Sequence, residues 1–507
     1  MLCWPVSAIQ AYVRRLACTF GGFFVASLFS IYFGVKGLAA SLSGSAALPL
    51  FMNYYGVSIE RFQAYSIAVM TPWSMKPLFG LASDLLPIRG RCKVPYMLMS
   101  AAVGTACMAA LVVLIIRGEC SPGVAAVLLT GVSFEAAAID LLAEGKYAEL
   151  MSAKPDTGSD LASFVWANVF AGSLLGAVIA GPMADRHYYA GIFFLGIIPA
   201  AQVGLPLIFG WFPDPRGLRG FQFHKWNNAS TKGPIMLAIM LATASAGLTV
   251  TAVTQSNYKA KLAYSTCASA VLIAASLKLL SPTVAKCNVY MFLASALYVS
   301  SAGALDYFYT ASPDCLKNGP NFSMTYYVTW SSIVASVAAL SAVSVFQSCM
   351  QEWRLRPLFW ISTVLRCAAA LVDIIIVNRW NVAIGIPDKV AYMLGNNIAG
   401  AVVAQLDLMP AVVLTSKLCP PGMEATMYAL LAGFQNFGGA VSAALGSTLT
   451  AAFAIDADRT TETCNFENLT RFIVVAHILL PLCVVPLTWS LIPDARLMDP
   501  LNIDQRR

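Results

Sequence analysis

The chain has 507 residues, 58% of them hydrophobic and only 11% charged, with a formal net charge of +7. An ordinary soluble domain carries about 25% charged residues, so this composition excludes a water-solvated globular chain. The positive excess is read as membrane-orientation charge, not as a nucleic-acid footprint. The 13 cysteines include no CxxC pair, which leaves zinc and redox motifs without support; no metal or cofactor is expected.

The apolar residues fall in runs of about 20, long enough to cross roughly 30 Å of hydrocarbon as helices. Helices satisfy their own backbone groups there, so the predicted fold is all-α and polytopic. Residues 1–26 form an N-terminal tail with no basic segment ahead of Arg14 and Arg15, and the first span is expected to act as an uncleaved signal. Six spans are predicted near 27–53, 62–82, 94–116, 122–142, 160–182 and 190–211. A basic loop at 212–233 carries Arg216, Arg219, Lys225 and Lys232, followed by spans near 234–254 and 263–281. Six more lie near 286–306, 323–348, 356–377, 390–415, 422–452 and 470–492, with a tail at 493–507.

This 6+2+6 spacing gives an N-terminal bundle over 27–211, a loop with two inserted spans over 212–285, and a C-terminal bundle over 286–492. A long basic loop after the sixth span is where transporters of the major facilitator type join their two six-helix bundles. Such halves pack around a substrate site near the midplane. A twelve-span reading, with the inserted pair peripheral, stays open.

Charge sets the orientation. With both termini cytoplasmic, inside segments hold eighteen Lys and Arg, outside segments ten, and the spans four. The sequons at Asn321 and Asn468 then fall outside, where glycosylation is expected, and Asn228 falls inside. Cys120, Cys315 and Cys464 also fall on the oxidising side, as a pairing or as free thiols.

After the second span runs Gly80-Leu81-Ala82-Ser83-Asp84, then Arg89-Gly90-Arg91. The pattern resembles the cytoplasmic signature of major facilitator transporters; an acid at a helix end facing basic residues forms a charge lock that breaks when the halves rock. Just before it, Pro72-Trp73-Ser74-Met75-Lys76-Pro77 places two prolines inside a span. Each removes a backbone donor and frees a carbonyl, which is tolerated where the backbone lines a cavity or meets another helix. Lys76 lies about eight residues, ~12 Å, from the cytoplasmic end, and Lys36 is similarly deep in the first span. A buried ammonium costs roughly 2.5–3.5 kcal/mol on insertion scales, so each calls for a partner, an anionic substrate or a structural acid.

The acids available are Glu135 near mid-span, Asp140 and Glu144 at i, i+4 toward the inside, and Asp373 and Asp407 in the second half. They can bind protons, accept hydrogen bonds from a ring, or pair with Lys36, Lys76 and Arg366. Glu135 is the first candidate for protonation, on its depth. Asp306 is expected to cap its helix. The three histidines lie far apart, and HExxH, GxSxG and P-loop patterns are absent from the sequence, so an enzyme reading has little support.

The run Pro72–Asp84 resembles the core signature of the folate–biopterin transporter family, and Val35-Lys36-Gly37 is similar to its first helix. Asp306–Thr310, Gly319-Pro320 and Ile386-Pro387-Asp388 agree as well. Cys419-Pro420-Pro421-Gly422-Met423-Glu424 looks like the branch found in kinetoplastid protozoa. The resemblance implies a major facilitator relative that carries folate, biopterin or related pteridines by proton coupling; some members of the branch carry S-adenosylmethionine. Lys36, Lys76, Asp84 and Glu424 match motif positions, whereas Arg366, Asp373 and Asp407 rest on the span reading. The amides Asn396 and Asn397 depart from the acid or other polar group the family often has there, which leaves the choice of substrate open.

Folate's two carboxylates suit Lys36, Lys76 and Arg366. Trp73, Trp166, Phe134 or Trp330 offer stacking faces, and Glu135 or Asp373 can accept from an amino edge. Substrate contacts are therefore expected at Lys36, Lys76, Trp73, Glu135, Arg366 and Asp373. Proton coupling or gating is expected at Asp84, Arg89, Arg91, Asp140, Asp407 and Glu424. The partners are a small molecule, protons and the bilayer of the plasma membrane. A non-transporting receptor with a transporter fold is the reading from a different class.

Overall fold

Apolar side chains cover the outside of this molecule as well as its interior: Val127, Ile198 and Ile208 are 70%, 68% and 69% exposed. A water-facing helix would place polar residues there, so lipid is the solvent for these faces. The computed structural model describes residues 3–153, 155–214, 216–217, 220–222, 229–255, 257–350, 352–418, 424–458, 463–497 and 499. Among them, 11 helices are long and apolar enough to cross a membrane.

In chain order the helices are α1 Cys3–Phe20, α2 Gly22–Tyr54, α3 Ile59–Ser74, α4 Lys76–Leu85, α5 Val94–Arg117, α6 Pro122–Ala153, α7 Pro155–Asp185 and α8 Tyr189–Ile208. Then come α9 Ala229–Thr254, α10 Tyr258–Leu279, α11 Pro282–Leu297, α12 Ala304–Thr310, α13 Thr325–Met350 and α14 Leu355–Val377. Last are α15 Asp388–Thr415, α16 Glu424–Ala452 and α17 Leu469–Leu491. Three predicted spans lie outside the 11: α3–α4, interrupted at Met75; α11, which stops after 16 residues; and α16.

The chain forms two compact units, one of Met1–Ala47 and Phe79–Asn227, the other of Leu48–Leu78 and Asn228–Arg507. The second unit thus takes α3, a helix from the N-terminal third of the chain, as well as the inserted pair. Small residues set the packing in the first unit. A Cβ on Gly172 of α7 would sit 2.4 Å from the carbonyl oxygen of Phe33 on α2, and one on Gly37 would sit 2.9 Å from Gly172 Cα. Only glycine permits that approach, as expected where lipid removes the hydrophobic drive for helix association.

In the second unit α3 packs against α9 and α16, and α16 also against α10 and α11. Phe292 stacks on Phe437 at 6.0 Å, within an apolar core that takes in Leu241, Tyr290, Leu414 and Leu431. The inserted pair is tied in by polar bonds too. Lys261 of α10, buried, lies 2.7 Å from Glu60 of α3, and Thr71 of α3 hydrogen-bonds Thr249 of α9.

Cys315 is disulfide-bonded to Cys464, joining the segment after α12 to a hairpin of β1 Asp456–Asp458 and β2 Thr463–Asn465. Cys120 remains a buried thiol.

Candidate functional site

The first polar constellation belongs to the first unit. Over Ser30–Ala39 the backbone of α2 widens into π-helical turns, a local form that recurs at functional sites. Lys36 stands in that stretch. Its Nζ lies 2.8 Å from Asp140 Oδ1 on α6 and 5.0 Å from the ring centre of Trp166 on α7. Of the sequence alternatives for Asp140, the structure realises an ion pair with Lys36. One and a half turns away on α6, Glu135 is 1% exposed, and its Oε1 has no hydrogen-bond partner among the described residues. Gly104 of α5 makes room for that carboxyl: a Cβ there would fall 2.1 Å from Glu135 Oε2. Phe134 turns the other way, edge-on to Phe79 at 5.1 Å.

The second constellation surrounds two broken helices in the second unit. Pro77 has no N–H for the carbonyl four residues earlier, that of Trp73, and the helix is interrupted at Met75. Asn436 of α16 supplies the missing donor, its Nδ2 donating to the Trp73 oxygen at 3.0 Å. A similar repair holds the break between α11 and α12. The carbonyl of Tyr298 accepts from Ser442 at 2.7 Å, that of Val299 from His477 at 3.0 Å, and that of Ala302 from Gln63 at 2.8 Å.

Both breaks line one cavity of about 430 Å³, walled by Gln63, Ser66, Trp73, Ser300, Gln435 and Asn436 among others, with no charged residue among the described residues of the wall. Lys76, buried, sits just behind this site with its Nζ 4.6 Å from the ring centre of Trp73. Discontinuous helices meeting at a cavity are how many transporters build a binding site.

Elsewhere in the second unit, Arg366 ion-pairs with Asp407, not with Asp373 on its own helix face. Asp407 also accepts from Ser362 at 3.1 Å, and the Arg366 guanidinium lies 4.3 Å over Tyr298. Asp373, buried, accepts instead from Tyr309 Oη at 2.6 Å. Asp306 caps α12, accepting from Gly303 N at 2.8 Å, and also receives the Tyr327 hydroxyl. Trp330 is 54% exposed.

The signature loop is a tight reversal. Arg89 and Gly90 both have positive φ, 51° and 83°, and Ile88 and Arg91 exchange backbone hydrogen bonds of 2.9 and 3.1 Å, the two-residue turn that favours glycine in second place. Among the described residues Asp84 makes no ion pair with Arg89 or Arg91. Its basic neighbour is Lys93, whose ammonium burial pushes down and the Asp84 carboxylate draws back up. Asp214, which belongs to no sequence motif, closes the start of α5 by accepting from the N–H groups of Lys93 and Val94 at 2.9 and 2.8 Å.

Asn321 is exposed, whereas Asn468 donates its side-chain amide to the Phe453 carbonyl at 3.0 Å. Cys419–Met423 and the side chain of Glu424 lie outside the described residues. Gln63, Gln435 and Asn436 carry no charge to mark them among the apolar residues of their spans. For Gln435 and Asn436 the signal was two adjacent amides inside an otherwise apolar span; Gln63 stands singly.

Residues 36–507 match the model of the BT1 family. A probable folate-biopterin transporter 2 of Arabidopsis thaliana is 26% identical over 95% of this chain and 85% of its own length. A folate-biopterin transporter of Synechocystis is 26% identical over 90% and 80%. Among solved structures, a POT family transporter in complex with a thioalcohol-conjugated peptide superposes with a TM-score of 0.66 at 14% identity, covering 92% of this chain and 96% of that one. A D-xylose–proton symporter gives 0.57 at 11%, covering 94% and 99%. These two likenesses concern the fold alone and agree with an all-α polytopic transporter architecture. The chain belongs to the BT1 family, the folate–biopterin transporters.

Proposed function

We propose that this protein carries folate- or biopterin-type pteridines across the plasma membrane by proton symport, with both termini cytoplasmic. The observation that carries the reading is the Lys36–Asp140 pair beneath Trp166, inside a helix of a family named for these substrates. A lysine at that depth is retained only with a partner, and a substrate carboxylate competes with Asp140 for it. Glu135, whose buried Oε1 lacks a hydrogen-bond partner among the described residues, is the group we assign to the proton. A carboxyl with no cation beside it can be occupied and vacated by a proton without dismantling an ion pair.

Uptake of labelled folate and of labelled biopterin into cells expressing the chain, at acid and neutral external pH, tests the reading. Saturable uptake that rises with an inward proton gradient is expected. No uptake of either ligand overturns it, and inhibition by S-adenosylmethionine alone reassigns the substrate. Counterflow in proteoliposomes separates a carrier from a receptor, which binds but does not exchange.

A further inference from the structure

The cavity in the second unit differs in kind from the Lys36 site: its wall is neutral. Burying an unpaired charge there costs far more than burying a hydrogen-bonded neutral group, so the wall selects against ions. Its hydrogen-bonding sense is also fixed in part. Gln63 donates its amide nitrogen to the Ala302 carbonyl at 2.8 Å and to Thr450 Oγ1 at 3.3 Å. Its Oε1 is buried with no partner among the described residues, and the residue itself is 4% exposed. Asn436 likewise commits its nitrogen to the Trp73 carbonyl. Gln63 has thus spent both N–H groups and keeps only its oxygen for a ligand, whereas Asn436 has spent one and keeps its oxygen and a second N–H. A complementary ligand therefore presents a donor to Gln63, and Asn436 can accept a second donor beside it.

Space and an aromatic face complete the site. Gly439, on the same wall, has nothing within 4 Å of the position a Cβ would take. The Trp73 indole, with the Lys76 ammonium 4.6 Å from its ring centre, provides a surface for offset stacking. The volume, about 430 Å³, lies within the range of small-molecule sites.

We infer that this cavity is a subsite for a flat, uncharged nitrogen heterocycle with two adjacent N–H donors on one edge, the amino and ring N–H of a pterin. Gln63 and Asn436 accept from that edge, and Trp73 stacks on the ring. The identity of the ligand and its second donor rest on the pteridine reading above; the donor facing Gln63 and the neutrality follow from the wall itself. Adenine, with one donor group beside a ring acceptor, fits the two oxygens less well.

Equilibrium dialysis of tritiated biopterin with the purified full-length chain in detergent tests this. Unlabelled pterin, adenine and p-aminobenzoylglutamate serve as competitors, and folate uptake is measured in parallel. Gln63→Met removes the acceptor and should weaken biopterin binding about tenfold, the loss of roughly one net hydrogen bond. Gly439→Leu starts from a Cβ position with nothing within 4 Å, adds bulk to the cavity and should weaken binding at least as much, which keeps the test intact should Gln63→Met not fold. Pterin should compete better than adenine in the wild type, and inhibition of folate uptake by p-aminobenzoylglutamate should be unchanged in both variants.

Unchanged biopterin affinity in both variants, or no biopterin binding to the wild type, overturns the subsite. A wild type that binds biopterin but takes up neither ligand overturns the transport reading and leaves the subsite in place. Uptake with wild-type affinity in both variants does the reverse.

Discussion

Lys36 and Asp140, 104 positions apart, hold each other at 2.8 Å with the carboxylate 2% exposed and the lysine side chain 18%. Removing one member strands a buried charge, an effect worth about 3–5 kcal/mol, whereas replacing both by apolar residues is often neutral. Asp140→Ala should therefore lower the melting temperature in detergent more than Lys36→Met/Asp140→Leu does. Equal melting of the two variants would show that the stranded Lys36 carries no penalty.

If the deep lysines meet the substrate's anionic tail, their loss should depend on that tail. Lys36→Ala and Lys76→Ala are expected to cut folate uptake about tenfold or more and biopterin uptake much less, with surface expression intact. Equal losses for the two ligands would make both lysines structural.

Glu135 provides a test of coupling. Glu135→Gln keeps the shape and removes the titrating group. Uptake down a substrate gradient should persist while its dependence on external pH flattens. A variant whose pH profile matches the wild type would move the proton site elsewhere.

The crossing of α2 and α7 has no room at Gly172. Gly172→Ala places a methyl against the Phe33 carbonyl, a backbone atom that cannot rotate away. We expect a loss of about 1–3 kcal/mol, read as a lower yield of monodisperse protein. Gly439→Ala, which meets nothing within 4 Å, should express as the wild type does.

The Cys315–Cys464 bond closes a loop with a sequence separation of 149. Replacing both residues by serine should cost about 2–4 kcal/mol, seen as a lower melting temperature. Denatured, unreduced wild-type protein should leave these two thiols unlabelled by maleimide and Cys120 labelled. Labelling of Cys315 or Cys464 would show the bond absent.

Much of the membrane fold was readable from the sequence because spans are decided locally. A run of about 20 apolar residues meets hydrocarbon favourably whatever its neighbours are. The prolines at 72 and 77 announced a freed carbonyl for the same reason: the lost donor is a property of proline itself. Lys36 and Asp140 also stood out, since charge at depth demands a partner.

Which partner each group takes was not readable. The Trp73 carbonyl is answered by Asn436, 363 positions away. Arg366 takes Asp407 from α15, although Asp373 shares its own helix face. Segment Leu48–Leu78 joins the second compact unit despite its early place in the chain. Periodicity fixes which residues share a face of one helix, but not which other helix that face meets. The neutral amides of the cavity carry no charge to mark them in the sequence, and an amide inside a span becomes a site only when a second broken helix closes the wall around it. The sequence by itself determined the spans, the buried charges and the broken backbone. Tertiary packing alone decided the pairings and the cavity, since hydrogen bonds and ion pairs act over a few ångströms and depend on which helix faces are brought together.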